Sequence, residues 1–337
     1  MSTDTSPDPG ITAEVADADR RRNRRVRRLL FGCTSITVLT TIAIFAVLFD
    51  NAFQFFTDER FHQWLIGMAA DLTLYFPEQR VGLLEFFTDT EWRPSHADDP
   101  RFGIIPLAAG TLLVTIGAAF VSIPIGTATA LYLSEYATPG TRKYLKPTLE
   151  VLAGIPTIVY GFFALTFITP VIVGPLGALF GISVGRFSAL SGSIVVGIMT
   201  IPMVASISED AMSSVPDELR NGAYALGASK YRVSLSVVLP ASISGVMASY
   251  ILAVSRAIGE TMAVLLAAGY SANLTGNPFD EIMTMTAYMV DATRSTMTVG
   301  SVEFQSLFAV GLALFCMTLT ANLVNDYVKR RYREVYR

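Results

Sequence analysis

The sequence predicts an all-α, polytopic membrane protein with six transmembrane helices, and three observations carry that expectation. Hydrophobic residues make up 52% of the 337-residue chain and mean hydropathy is +0.48, a balance of membrane proteins rather than soluble domains. Apolar runs recur along the chain, each near or above the ~20 residues that cross a bilayer. Basic residues gather in alternate connections, and this asymmetry sets orientation where the net charge of −3 does not. Cys33 and Cys316 both lie inside apolar runs, which argues against a disulfide framework or a cysteine metal site. His62 and His96 stand alone, without metal-ligand spacing.

Residues 1–28 read as a disordered, arginine-rich N-terminus: the first 19 are rich in Asp, Ser, Pro and Thr, and seven arginines follow between Arg20 and Arg28. The run 29–49 is the first predicted span. A signal peptide would have a shorter apolar region, about 7 to 15 residues, and a small-residue cleavage site that the following FDNAFQFF does not offer. Arginines against a membrane span act as a topology anchor more often than as a twin-arginine signal or a nucleic-acid site. Further spans are expected at 104–134, 147–173, 187–207, 242–268 and 304–327. With the N-terminus placed on one side, about 18 Lys and Arg fall there against about 6 on the other, so both termini are expected in the cytoplasm. Pro124, Pro156, Pro170 and Pro202 lie within or near span ends, where they kink helices that neighbours then support.

The predicted external segment 50–103 is far longer than ordinary connections. It holds ten acidic residues, four arginines and both tryptophans. Phe61, Trp64, Leu65 and Met68 have helical spacing, which predicts a helix on the membrane surface or over the outer mouth. The stretch FFTDTEWRP, 86–94, resembles the first external loop of PstC-type phosphate permeases, and Phe87 and Trp92 there predict a docking surface. Residues 135–146, with Arg142, Lys143 and Lys146, read as a short topology-setting turn. EVLAGIPTIVYGFFAL, 150–165, is again similar to the phosphate permeases. Gly154, Pro156 and Gly161 within it would let the backbone bend and approach a neighbour, for gating or for packing alone.

Between the fourth and fifth spans lies a polar segment, 208–240, too wet to cross a bilayer. Ser214, Pro216 and Asp217 predict a helix start, and Leu219, Ala223 and Leu226 give it one apolar stripe. Gly227 permits a left-handed turn, and a second helix through Tyr231 and Leu235 is expected to close at Pro240. The result is a helix-turn-helix peg on the cytoplasmic face. Gly227, Val237, Leu239 and Pro240 fall on the spacing of the coupling loop of ABC-importer permeases, which this stretch resembles, and Ala223 matches the second alanine of that pattern. Asn221 stands where that family has Glu, and Gly222 where it has the first Ala.

In the fifth span Arg256 would lie roughly 21 Å from the cytoplasmic end, a little past mid-membrane, with Glu260 one turn on along the same face. Charges at that depth face a cavity, pair together or mark a substrate path. A guanidinium fork matches a phosphate oxyanion bidentately, and SRAIGETMA, 255–263, resembles the PstC family, in which this Arg and Glu are associated with transport. The segment 269–303 is polar and external, with a short helix expected over 283–289, and residues 328–337 form a basic cytoplasmic tail.

The sequence holds no GxxxxGK[ST] loop, so ATP and Mg are expected on a partner rather than as cofactors of this chain. The resemblance implies the type I, MetI-like permease fold, in an inner membrane and in contact with membrane lipid. It implies a second PstA-like permease, a PstB-like ATPase dimer, a PstS-like binding protein, inorganic phosphate as cargo, and no nucleic acid. A molybdate, sulfate or phosphonate permease fits the same arginine, since an arginine alone does not choose among tetrahedral anions. A secondary anion transporter explains Arg256 and Glu260 but leaves the peg idle. An intramembrane enzyme leaves Glu260 without a catalytic partner.

Overall fold

A computed structural model describes residues 9–56, 81–94, 100–294 and 301–331. Helix α1, Pro9–Phe56, begins inside the stretch expected to be disordered. Pro9 suits a first helical turn, and Ala13, Glu14, Ala16 and Ala18 are strong helix formers. Its apolar part, Val26–Phe56, is long enough to cross a bilayer. It packs on the last helix of the chain, where Phe45 meets Phe315 edge-on at 4.9 Å. The surface helix expected around Trp64 lies outside the described residues.

Helix α2, Leu83–Thr88, and strands β1, Trp92–Arg93, and β2, Arg101–Phe102, form a small cap, with Trp92 opposite Phe102 in an antiparallel pair. Aromatic side chains hold it together. Trp92 is only 5% exposed, edge-on to Phe102 and Tyr288 at 5.9 and 4.8 Å. It is therefore core and not the docking residue expected from the sequence, whereas Phe87 remains exposed.

Helix α3, Ile105–Leu131, is prolonged by a π-helical turn, Tyr132–Tyr136. Helix α4, Pro139–Ala153, occupies what was expected to be a turn and the start of the third span. It buries none of its residues, because Arg142, Lys143, Lys146 and Glu150 make it a polar helix beside the membrane helices. The span itself begins later. It runs Thr157–Leu179, from α5, Thr157–Phe163, through a π-helical stretch, Ala164–Val173, into α6, Gly174–Leu179. Helix α7, Ala189–Ser213, starts at Ser188, whose hydroxyl accepts from Ser191 N at 3.1 Å. It packs along α3 at short range: a Cβ at Gly197 would sit 2.6 Å from that of Val121, and one at Gly126 2.7 Å from that of Val204.

Helices α8, Asp217–Ala225, α9, Lys230–Val233, and α10, Leu239–Ala241, with a π-helical turn Ser234–Val238 before α10, make the peg. Helix α11, Ile243–Ile258, then α12, Met262–Ala268, α13, Met285–Arg294, and α14, Val302–Arg331, complete the chain. Among the described residues five helices are long and apolar enough to span, six if the pair Lys230–Ala241 and Ile243–Ile258, bent by 72°, counts as one span. The fifth expected span, 242–268, starts at the bend and is broken once inside, at Gly259, before α12 resumes. Helix α13 is buried rather than laid over a mouth, with Met285, Thr286, Ala287 and Tyr288 inside the core.

Candidate functional site

The first helix of the peg starts at Asp217, with Pro216 rather than Ser214 at its N-cap position. Ser214 Oγ donates to Ala211 O at 2.7 Å and so finishes α7, while Pro216 precedes α8 without a side-chain cap. Asp217 and Glu218 in the first turn oppose the helix dipole. Gly227 turns the chain with φ +78°, which a side chain would resist. Leu226 beside it is 90% exposed at the tip, and Leu219, Asn221 and Gly222 are exposed along the same helix. Ala223 and Leu239 are half-buried in a cluster around Met212, Val215, Val233 and Val238. Pro240 lies in the last turn of the helical run Lys230–Ala241, which ends one residue after it, and the chain bends at Ser242.

Two ion networks that sequence reasoning missed fix the base of the peg. Arg220 donates to Glu135 Oε1 from Nη2 at 3.1 Å and from Nε at 3.3 Å, to Met212 O at 2.8 Å, to Asp217 at 3.1 Å and to Val215 O. Glu135 ends α3 and its side chain is 5% exposed, so the pair ties α8 to α3 out of water. The second network centres on Glu209, fully buried in the last turns of α7. It accepts from Arg142, from Lys146 at 2.7 Å and from Ser213 at 2.8 Å, and Lys146 also reaches Asp210 at 2.6 Å. The hydrogen bonds that Lys146 donates to Asp210 and then to Glu209 raise its pKa above the ordinary value. Arg142 and Lys146 four apart on α4, and two acids ending an apolar run, were the available signal. Nothing in the sequence pairs positions 67 and 63 residues apart.

Arg256 and Glu260 do not share a helical face. Arg256 is exposed in the last turn of α11, and among the described residues no carboxylate lies within ion-pair distance of it. Beside it, Ser255 Oγ donates to Asn322 Oδ1 of α14 at 3.2 Å. Glu260 sits beyond the break at Gly259 and is 7% exposed. Its Oε1 accepts from Ala263 N at 3.3 Å, satisfying one orphan donor at the start of α12, and its carbonyl accepts from Thr286 Oγ1 at 2.7 Å. The buried acid caps a helix while the exposed cation stands free. Gly161 lets α5 approach that same helix: a Cβ there would lie 2.9 Å from Leu266 Cβ and 3.2 Å from Ala263 Cα. Gly154 ends α4 and Pro156 begins α5, so these two residues form the joint between them.

Among the described residues no cluster of His, Cys, Asp and Glu could hold a metal ion. What the arrangement offers is an exposed cation in an apolar helix, and an anchored polar peg with an apolar tip.

Residues 122–334 match the family described as "Binding-protein-dependent transport system inner membrane component". A probable ABC transporter permease protein, YqgH of Bacillus subtilis, is 38% identical over 251 residues, 74% of this chain and 79% of the relative. The phosphate transport system permease protein PstC of Mesorhizobium japonicum is 30% identical over 261 residues, 73% of this chain and 78% of the relative. PstC 1 of Mycobacterium tuberculosis is 32% identical over 282 residues, 75% and 83% of the two chains. The fold is similar to that of a chain in a bacterial ABC transporter involved in alginate import, at a TM-score of 0.56 and 14% identity over 93% of this chain and all of that one. With several apolar helices spanning by length and composition, this is a multi-pass inner-membrane protein. A match across most of the spans and the whole peg, joined to relatives that align over about three quarters of the sequence, means that the chain belongs to the family of binding-protein-dependent transport system inner membrane components.

Proposed function

We propose that this chain is the permease subunit of an ATP-driven importer of inorganic phosphate, and that Arg256 lines the translocation path. The observation that carries the reading is the state of Arg256: a permanently charged group in a membrane helix, exposed on this chain and without a counter-ion among the described residues. Such a group belongs against a water-filled path or a partner chain rather than lipid tails. A guanidinium there offers paired donors to a tetrahedral oxyanion, and the relatives named PstC make phosphate the first choice. Glu260 tunes the path from beside it, through the helix that it caps.

A second, PstA-like permease completes the path. ATP and Mg are held by a PstB-like ATPase dimer that seats the exposed tip around Leu226, with Leu219, Asn221 and Gly222 on its flank and Gly227, Leu239 and Pro240 shaping the loop. A PstS-like protein delivers phosphate on the opposite face, and both termini lie with the peg in the cytoplasm. Proteoliposomes containing the assembled transporter test this. Labelled phosphate should enter only with ATP and binding protein, and excess sulfate or molybdate should not compete. Uptake by this chain alone without ATP would overturn the ATP-driven reading, and full competition by molybdate would reassign the cargo.

A further inference from the structure

The proposed path and peg leave the Glu209 network unused, yet Glu209 is a fully buried carboxylate held by two cations that reach it from the surface. Helix α4 buries no residue of its own, so its attachment to α7 depends on what Arg142 and Lys146 hold. Both converge on one fully buried carboxylate, and Ser213 takes up further hydrogen-bonding capacity of that acid. The buried carboxylate is the point at which the network is joined, and removing its charge leaves Arg142 without its carboxylate and Lys146 with Asp210 alone. The two ends of α4 lead to different places. One end follows the π-helical turn that holds Glu135, the partner of Arg220 in the peg. The other joins α5 at Gly154 and Pro156, where Tyr160 OH donates back to Leu152 O at 2.9 Å.

We infer that Glu209 is a positioning residue for transport: it locks α4 to the base of the peg, so that displacement of the peg carries α4 and the start of the third span as one body. The inference rests on the reading of the peg as the place where an ATPase delivers force. Glu209 touches neither the cargo nor the ATPase in this account. It determines which helices move together.

The test uses the complete transporter in proteoliposomes, with Cys33→Ser and Cys316→Ser as background. Thr148→Cys on α4 and Ser229→Cys on the peg, both at exposed positions, report accessibility to a water-soluble maleimide in nucleotide-free and ATP-vanadate-trapped states. The two labelling rates should change together. With Glu209→Gln the peg reporter should still respond and the α4 reporter should not, while ATP hydrolysed per phosphate imported rises about tenfold, within the usual range of coupling between sites. Glu209→Asp should restore both readings, which a general loss of folded protein would not allow. An α4 reporter that follows the peg equally well in Glu209→Gln overturns the inference, as does a wild-type α4 reporter that never moves. If both reporters respond as expected but no labelled phosphate enters, the inference stands and the choice of cargo fails.

Discussion

Arg220 on the peg and Glu135 at the end of α3 are held 3.1 Å apart, with the carboxylate side chain almost wholly out of water. The first helix of the peg is therefore fastened to α3, and through Met212 O to α7, more directly than to the helix that carries Arg256. The 72° bend at Ser242 separates the peg from α11. The structure thus ties the first helix of the peg to the bundle by this ion pair and by the apolar cluster beneath it.

Arg220→Ala should strand Glu135 and leave Val215 O and Met212 O without their donor. Breaking a buried pair from one side costs about 3–5 kcal/mol, and the partial exposure of Arg220 places the loss at the lower end of that range. Thermal unfolding in detergent should shift downward accordingly. Arg220→Lys should recover little of it, because one ammonium cannot reproduce the guanidinium fork.

How much of this was legible in the sequence depended on the range of the signal. Apolar length marked the spans, and Gly227 marked the turn of the peg, because both properties are local. Pro240 marks the end of the second helix to within a residue, because a ring without an N–H stops a helical run locally. The break at Gly259 shows in the sequence only as Gly259, Glu260 and Thr261 interrupting an apolar run, a pattern that an unbroken span also carries, and the capping of α12 by Glu260 shows only in three dimensions. Residues 147–153 were assigned to a span because hydropathy averages over the polar end of α4 and the apolar start of α5. The cations that hold Glu209 and the carboxylate that holds Arg220 were invisible for a different reason: each lies more than sixty residues away in the chain.

The tip of the peg should separate binding from folding. Leu226→Asp changes an exposed side chain and should alter stability by no more than about 0.5 kcal/mol, while reducing co-purification of the ATPase. Gly227→Val acts the other way. Its φ of +78° is strained for a β-branched residue even though open space surrounds the glycine, at a cost of about 1–2 kcal/mol. Calorimetry and pull-down, run on both variants, should rank them in opposite orders.

Tyr288 on α13, outside the spanning helices, has its phenol pushed up to about 12 from the ordinary 10.0, first by burial and against the hydrogen bond with Ser306. Folding favours its neutral form. That stabilisation is fully present below pH 10 and is lost as the pH climbs from 10 through about 12. Phenolate absorbance should therefore show a late-titrating tyrosine that disappears in Tyr288→Phe. The variant should lose about 1 kcal/mol of hydrogen bonding at neutral pH and should lack this tyrosine's share of the alkaline destabilisation.

Arg256 gives the sharpest prediction for transport, because its charge is unpaired among the described residues and a neutral replacement should not strand a counter-ion. Arg256→Gln should insert and assemble with the ATPase as the wild type does, with thermal stability unchanged or slightly higher. Its phosphate uptake should fall by two orders of magnitude or so, the loss expected when a charge-assisted bidentate contact worth about 1.5–3 kcal/mol is removed. Arg256→Lys keeps the charge and loses the fork, so its uptake should fall between the two. Labelled-phosphate uptake per mole of assembled transporter measures the series. A lysine variant as active as the wild type would mean that only the charge matters, and a glutamine variant as active as the wild type would remove Arg256 from the path.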